Sequence, residues 1–280
     1  MGWSLQATQS LSALQFEQWN GLLEERTGMH FRQVQQSHLQ AQLLMRMREL
    51  NCNSFDEYYQ IVRAADAEEW GVFVSRITVN ETRFFRHIES FDFVRRTIVE
   101  KYEKTSASLN VWSVGCATGE EPYSLAMLFE EAAELHGGDL SYTIDATDIS
   151  AEAIALAKLG EYPGSAFAEV KPALREKYFL THGGRLKVTD AVKRHIRFHC
   201  ENILDLAHKP IEKMDIIFCQ NLLIYFQEWR KKSILDALVK QLKPGGILII
   251  GPGEVMTWKN IFLTPCREIG VQAYQRIQTT

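Results

Sequence analysis

From residue 110 onward, strand-length apolar runs alternate with segments of helical periodicity, and few folds accept that alternation. Val111-Trp112-Ser113-Val114 precedes the helical stretch Pro122 to Leu135, and Tyr142 to Ile149 precedes Ala151 to Leu159. Later come His195 to His199, Met214 to Cys219, the helical Trp229 to Leu242, and Ile247 to Ile250. Strands separated by helices imply βαβ units and a mostly parallel sheet covered on both faces, an α/β fold. Lys243-Pro244-Gly245-Gly246 stops a helix and leads into a strand. Between Glu161 and Asp190 the rhythm breaks, and Gly183-Gly184 beside the alternating Leu186 and Val188 predicts a small inserted hairpin.

The N-terminal part lacks this alternation. Phe16, Trp19, Leu22 and Leu23 recur at helical spacing, as do Leu39, Leu43, Leu44 and Met47, then Tyr58, Tyr59, Ile61 and Val62. Breaks fall at Thr27-Gly28 and Asn51 to Ser54, and Ser54 with Glu57 fits a capping box. The chain of 280 residues thus divides into a helical domain (1–78), a linker and helix (79–109) and a sheet domain (110–280) with a β-subdomain at about 161–194. Lys and Arg total 31 against 35 Asp and Glu, which disfavours a broad basic face for nucleic acid or anionic lipid. No apolar run approaches the ~18 residues of a membrane span, and Met1 to Ser10 has no signal pattern. Cys52, Cys116, Cys200, Cys219 and Cys266 are scattered, so a disulfide framework or zinc ribbon is disfavoured and a reducing cytoplasm is expected.

Val114-Gly115-Cys116-Ala117-Thr118-Gly119-Glu120-Glu121-Pro122 reads as strand end, glycine-bearing turn and helix start, the place where doubly wound folds bind ligands. Glycines let the backbone approach a cofactor closely. The spacing is G-x-x-x-G, and carboxylates follow it; these repel a pyrophosphate and suit the ammonium of an amino-acid-bearing cofactor, which points from NAD toward S-adenosylmethionine. Asp148, ending the second strand, is placed to accept hydrogen bonds from ribose hydroxyls, or to cap the following helix, a role Ser150 can also fill. After the third strand Asn202 is placed to read an adenine edge and Ile203 to pack on the ring; a turn role for Asn202 is the plainer alternative.

G-C-A-T-G-E-E-P-Y-S at Gly115 to Ser124, N-E-T-R-F-F-R at Asn80 to Arg86, and F-C-Q-N-L-L-I-Y-F at Phe218 to Phe226 together resemble the chemotaxis-receptor glutamate methyltransferases, the CheR family. The resemblance implies a small all-α N-terminal domain before a Rossmann-like S-adenosylmethionine-dependent sheet domain with a small β-subdomain. It implies methyl transfer to glutamate carboxylates of chemoreceptors, leaving S-adenosylhomocysteine, with no metal. By motif, Asn80, Thr82 and Arg86 reach the cofactor, with Arg86 near the methyl-transfer site. Glu121, or alternatively Glu120, holds the methionyl ammonium, Asp148 the ribose, and Asn202 with Ile203 the adenine. Gly115 belongs to the cofactor loop, Gln220 and Asn221 line the pocket, and Tyr225 stands near the reacting centre. The family commonly has Arg where Gln220 stands. His87, Cys116 and Cys219 read as local packing, and no clustered Cys/His set has metal-ligand spacing.

The expected partner is the chemoreceptor cytoplasmic helical bundle. Met29 to Arg48 contains Arg32, Arg46 and Arg48 and no Asp or Glu, a basic face that would suit an acidic methylation region. In some family members the β-subdomain binds a receptor C-terminal peptide by strand addition; the Phe179 to Leu186 turn looks shorter here, which argues against tethered recruitment. A nucleic-acid acceptor is disfavoured because Gln220-Asn221-Leu222-Leu223 stands where N/D-P-P-Y/F is found in amine methyltransferases. A small-molecule acceptor and a cofactor-responsive signalling adaptor with little catalysis are the remaining alternatives.

Overall fold

The computed structural model describes residues 9–64, 67–78, 81–102, 108–135, 140–208 and 212–278. The chain forms two units, Met1–Val79 with Tyr225–Gln227, and Asn80–Ile224 with Glu228–Thr280. The segment expected as a linker and helix therefore belongs, from Asn80 on, to the sheet unit. No helix among the described residues is long and apolar enough to cross a membrane.

The first unit is built from α1 (Ala13–Thr27), α2 (Gln36–Leu50), α3 (Phe55–Ala64) and α4 (Ala67–Ile77). Ser12 and Gln15 form a capping box at α1, while Gly28 (φ 74°) and Asn51 (φ 56°) end α1 and α2 in left-handed geometry. At α3 the expected box is half formed: Ser54 Oγ accepts the Glu57 N–H at 3.1 Å, but the Glu57 carboxylate reaches back to the Asn53 N–H at 2.7 Å. Buried Trp19 organises the core, its ring 5.5 Å from Tyr58, 5.2 Å from Tyr59 and 5.0 Å from Phe73. The Tyr225–Gln227 segment joins this unit through the Met29–Phe226 antiparallel bridge, the His30 N–H donating to Tyr225 O at 2.8 Å, and the Gln227 amide on Glu24 at 3.3 Å.

The basic face expected from the sequence loses Arg46. Its guanidinium donates to both oxygens of Glu69 (Nε–Oε1 3.1 Å, Nη2–Oε2 2.6 Å) and to Glu49 at 2.8 Å, and Tyr58 Oη adds a bond to Glu69 at 2.9 Å. Arg32 and Arg48 are exposed. The carboxylates missing from the Met29–Arg48 stretch arrive from the next residue and from α4. With side-chain exposures of 19% and 15%, the Arg46–Glu69 pair lies between a surface and a buried ion pair. Arg46→Met should cost about 1–3 kcal/mol, read as a lowered denaturation midpoint; an unchanged midpoint would show that the pair contributes nothing.

The second unit runs α5 (Ile88–Tyr102), β1 (Ser108–Val114), α6 (Glu120–Leu135), β2 (Ser141–Asp148), α7 (Ala151–Leu159), β3 (Glu161–Tyr162), α8 (Pro172–Tyr178), β4 (Phe179–His182), β5 (Arg185–Val188), α9 (Asp190–Lys193), β6 (Ile196–Cys200), β7 (Met214–Cys219), α10 (Glu228–Gln241), β8 (Leu242–Ile250), β9 (Leu263–Pro265) and β10 (Gln272–Arg276). The main sheet has the order β6-β2-β1-β7-β8-β10-β9. β6 through β8 pair in parallel, and β10 is antiparallel to both its neighbours. Every residue of β7 is buried, as a central parallel strand requires. The β-subdomain is a separate sheet ordered β3-β5-β4, whose β4–β5 hairpin turns through Gly183 (φ 55°) and Gly184 (φ 78°), both in the left-handed region that a two-residue hairpin needs.

The sequence reading names no strand after Ile250 and so lacks β9 and β10, and it also differs at the start of β8. Lys243 to Gly246 lies inside β8 instead of between helix and strand, because the register shifts: Leu242 pairs with Met214, and Ile247 pairs with Ile216. Four residues face one on the partner, a bulge. Gly246 sits where a Cβ would stand 2.9 Å from Met214 O, so no larger residue fits without moving backbone.

Candidate functional site

Neighbouring parallel strands deliver their following loops to one edge of the sheet, and in the order β2-β1-β7-β8 those loops begin at Ile149, Gly115, Gln220 and Gly251. The β1 loop is pinned by its backbone. The Gly115 and Cys116 N–H groups donate to Thr147 O at 2.8 and 3.0 Å, the Ala117 N–H donates to Asp148 Oδ2 at 2.8 Å, and Tyr162 Oη donates to Thr118 O at 2.6 Å. Gly115 (φ 75°) and Gly119 (φ 97°) are required by the protein's own packing: a Cβ would stand 3.1 Å from the Leu222 side chain and 2.9 Å from Ala157, respectively.

The two carboxylates opening α6 have different surroundings. Glu120 is buried, accepts the Thr118 hydroxyl at 2.7 Å, and its carbonyl takes the Ser124 hydroxyl that in turn accepts the Phe85 N–H at 3.0 Å. Glu121 is partly exposed and accepts the Ser113 hydroxyl at 2.7 Å. Burial pushes Glu121 up to about 8; the Ser113 bond and the Arg86 charge oppose the rise and nearby Glu254 adds to it. A recessed carboxylate with so little compensation is fitted to a cation.

Asp148 accepts the Ala117 N–H through Oδ2 and the Ser150 N–H through Oδ1 at 2.9 Å, while Ser150 itself caps α7. Burial raises its pKa, and the backbone amides around it oppose that rise. Asn202 Oδ1 accepts the Leu204 N–H at 3.0 Å and so opens the short 3-10 helix Ile203–His208, a turn role for that oxygen. Gln220 is committed elsewhere. Its side chain is buried and donates to Ser90 Oγ at 2.9 Å, which ties β7 to α5. Asn221 (φ 58°) and His87 (φ 60°) both have left-handed backbones, and burial lowers the pKa of His87.

Arg86 donates Nη1 to Glu81 O at 2.8 Å, and among the described residues no carboxylate lies within ion-pair distance of it. Its segment is anchored by Phe84, whose ring packs on Tyr162 (4.9 Å), Phe167 (5.0 Å) and Phe179 (5.2 Å). Thr82 is half-buried, and Asn80 lies outside the described residues. Tyr225 belongs to the helical unit, where its carbonyl accepts the His30 N–H at 2.8 Å. The sequence reading missed Glu254, a buried carboxylate after β8. The signal that points to Asp148, an acid at the end of a parallel strand, is present in Gly251-Pro252-Gly253-Glu254 as well.

Comparison with known proteins bears on the same residues. Residues 80–268 match the family described as CheR methyltransferase, SAM binding domain, and residues 14–78 match CheR methyltransferase, all-alpha domain. The chain is similar to chemotaxis protein methyltransferase 1 of Pseudomonas aeruginosa, 31% identical over 247 residues that cover 86% of this chain and 90% of that protein. It is also similar to the probable biofilm formation methyltransferase WspC of that organism, 31% identical over 241 residues, 85% of this chain; the match spans 56% of that relative's length. Among solved structures, magnesium protoporphyrin IX methyltransferase from Synechocystis with bound S-adenosylmethionine matches at 15% identity and a TM-score of 0.39, covering 85% of this chain and 97% of that one, a likeness too slight to build on.

Proposed function

This chain belongs to the CheR methyltransferase family, and on that premise we propose that it methylates glutamate side-chain carboxylates of chemoreceptor cytoplasmic helical bundles, acting in the cytoplasm and releasing S-adenosylhomocysteine. One observation carries the reading: the loops after β1 and β2 bring to one edge of the sheet two recessed carboxylates, Glu121, held by the Ser113 hydroxyl at 2.7 Å, and Asp148, held by the Ala117 N–H at 2.8 Å. A donor set with one anion for an ammonium, Asp148 for hydroxyls and Asn202 with Ile203 for a base fits S-adenosylmethionine. When bound, that cofactor supplies a methyl group activated on a sulfonium.

The rest falls to the protein. A glutamate nucleophile is ionised at neutral pH, with a reference pKa of about 4.3, so no general base is needed. What remains is alignment and exclusion of water. Arg86 orients the acceptor carboxylate by charge-assisted hydrogen bonds. Glu121 takes the ammonium, Asp148 keeps lone pairs for ribose hydroxyls beyond the two amides it accepts, and Asn221 borders the methionyl end. Tyr225 is assigned to the reacting centre by its motif and not by its position. Arg32 and Arg48 are proposed to dock the acidic methylation region; reversing both charges should cut receptor methylation several-fold without altering S-adenosylhomocysteine affinity, and an unchanged methylation rate would remove them.

The decisive experiment incubates the protein with receptor cytoplasmic domains and methyl-labelled S-adenosylmethionine, then treats the product with base. Glutamyl methyl esters release labelled methanol and N-methyl groups do not. Label that stays on the protein after base treatment, or no label at all, would overturn the assignment.

A further inference from the structure

Asn20 is 2% exposed, and no step of the proposed reaction uses it. A polar side chain buried to that degree needs partners, and Asn20 finds two of them on one residue. Its Nδ2 donates to Phe31 O at 3.0 Å, and its Oδ1 accepts the Phe31 N–H at 2.9 Å. Two turns further along α1, Thr27 Oγ1 accepts the Met29 N–H at 3.1 Å and donates to Leu23 O at 2.7 Å. The amides of Met29 and Phe31 are thus taken by α1. The amide between them, that of His30, donates instead to Tyr225 O at 2.8 Å.

Tyr225–Gln227 is the stretch beyond residue 79 that belongs to the helical unit, and all three of its residues are gripped there. Tyr225 is held by its carbonyl, and buried Phe226 by the antiparallel bridge to buried Met29. The Gln227 amide donates to Glu24 Oε2 at 3.3 Å, and His30 Nδ1 stands 3.4 Å from the same oxygen. Asn20, Glu24 and Thr27 follow one another at i, i+4 and i+7, so a single face of α1 holds both the Met29–Phe31 segment and the segment paired with it. We propose that Asn20 is a positioning residue for methyl transfer: with Thr27 it fixes Met29–Phe31, and that segment in turn holds Tyr225–Gln227 and sets the place of the Tyr225 ring. This rests on the assignment of Tyr225 to the reacting centre by its motif.

Amide hydrogen exchange and steady-state methylation of receptor cytoplasmic domains, on the full chain and its Asn20→Ala variant, test it. Exchange of the His30 amide should quicken at least about tenfold in the variant, with β1 amides unchanged. At saturating receptor, kcat should fall at least about fivefold. Affinity for S-adenosylhomocysteine should stay within about twofold, since Glu121, Asp148 and Asn202 belong to the other unit. The loss of kcat should vanish in a Tyr225→Ala background, because it runs through that ring. Val62→Ala, which opens a cavity at a fully buried position of α3, should lower the denaturation midpoint and leave kcat in place. Wild-type exchange at His30, an unchanged kcat, a loss that persists in full with Tyr225→Ala, or an equal loss in Val62→Ala would each overturn the proposal. Wild-type protein that methylates no receptor domain would instead defeat the functional assignment, and the exchange measurement, which needs no substrate, would still decide whether Asn20 holds the segment. Should Asn20→Ala not fold, Thr27→Val, which keeps the side-chain shape and removes the acceptor of the Met29 N–H, is judged by the same criteria.

Discussion

Glu121→Gln is expected to weaken S-adenosylhomocysteine binding about ten- to a hundredfold near pH 8.5, the worth of one charge-assisted hydrogen bond, while raising the melting temperature of the ligand-free protein at that pH. Both effects come from one carboxylate. In the unfolded chain it titrates near the ordinary 4.5, whereas in the folded protein burial pushes it to about 8. Between those values the folded state keeps a proton that the unfolded state has released, so stability falls as pH rises through that window and levels off above it. An amide never ionises, so the variant lacks that decline. Binding has the opposite sign: an ammonium favours the ionised form, a proton leaves on binding below about pH 8, and affinity rises with pH toward that value. The variant's deficit should therefore be small at pH 6 and full near 8.5. Calorimetry in two buffers of different ionisation heat counts the released proton. Equal affinity at both pH values for wild type and variant would reject Glu121 as the ammonium site.

What the sequence reveals and what it hides follow from where the determining contacts lie. The central strand Met214–Cys219 and the helix Ala151–Leu159 have the bounds their residues imply, because a buried parallel strand and a capped helix are specified by neighbouring residues. The start of β8 is not legible: Pro244-Gly245-Gly246 carries the chemistry of a stop, and only the register against Met214 and Ile216 shows that these residues bulge out of a continuing strand. The same distinction runs through the site. Loops at strand ends display their acids in sequence, so Asp148 could be proposed from position, and the choice of Glu121 over Glu120 comes only from the family motif. The commitment of Gln220 to Ser90 spans 130 residues, and the neutralisation of Arg46 depends on Glu69 arriving from another helix. A stretch without acids in sequence is therefore not a basic face in space.

Arg86→Ala is expected to lower the turnover of receptor methylation more than about tenfold, with the fold and most of the S-adenosylhomocysteine affinity retained. Its backbone is held without help from its own side chain. Phe84 is locked into the aromatic cluster, the Phe85 N–H is bonded to Ser124, and Phe85 (φ 56°) and His87 (φ 60°) turn the chain sharply on either side. Among the described residues the guanidinium spends one donor on Glu81 O, which leaves donors for the proposed acceptor carboxylate. A charge-assisted hydrogen bond to a carboxylate is worth about 1.5–3 kcal/mol, which as lost orientation in the transition state is about ten- to a hundredfold in rate. The contact must orient without gripping, since a pair as tight in the ground state as in the transition state would give no acceleration. Arg86→Lys should accordingly recover part of the rate: it restores the charge but not the planar fork that fixes a carboxylate's angle. Removing the cation should also move the pH midpoint of cofactor affinity upward, because Arg86 opposes the rise at Glu121. Near-normal turnover by folded Arg86→Ala would remove Arg86 from the acceptor site, and a rate fully restored by Lys would reduce its part to charge alone.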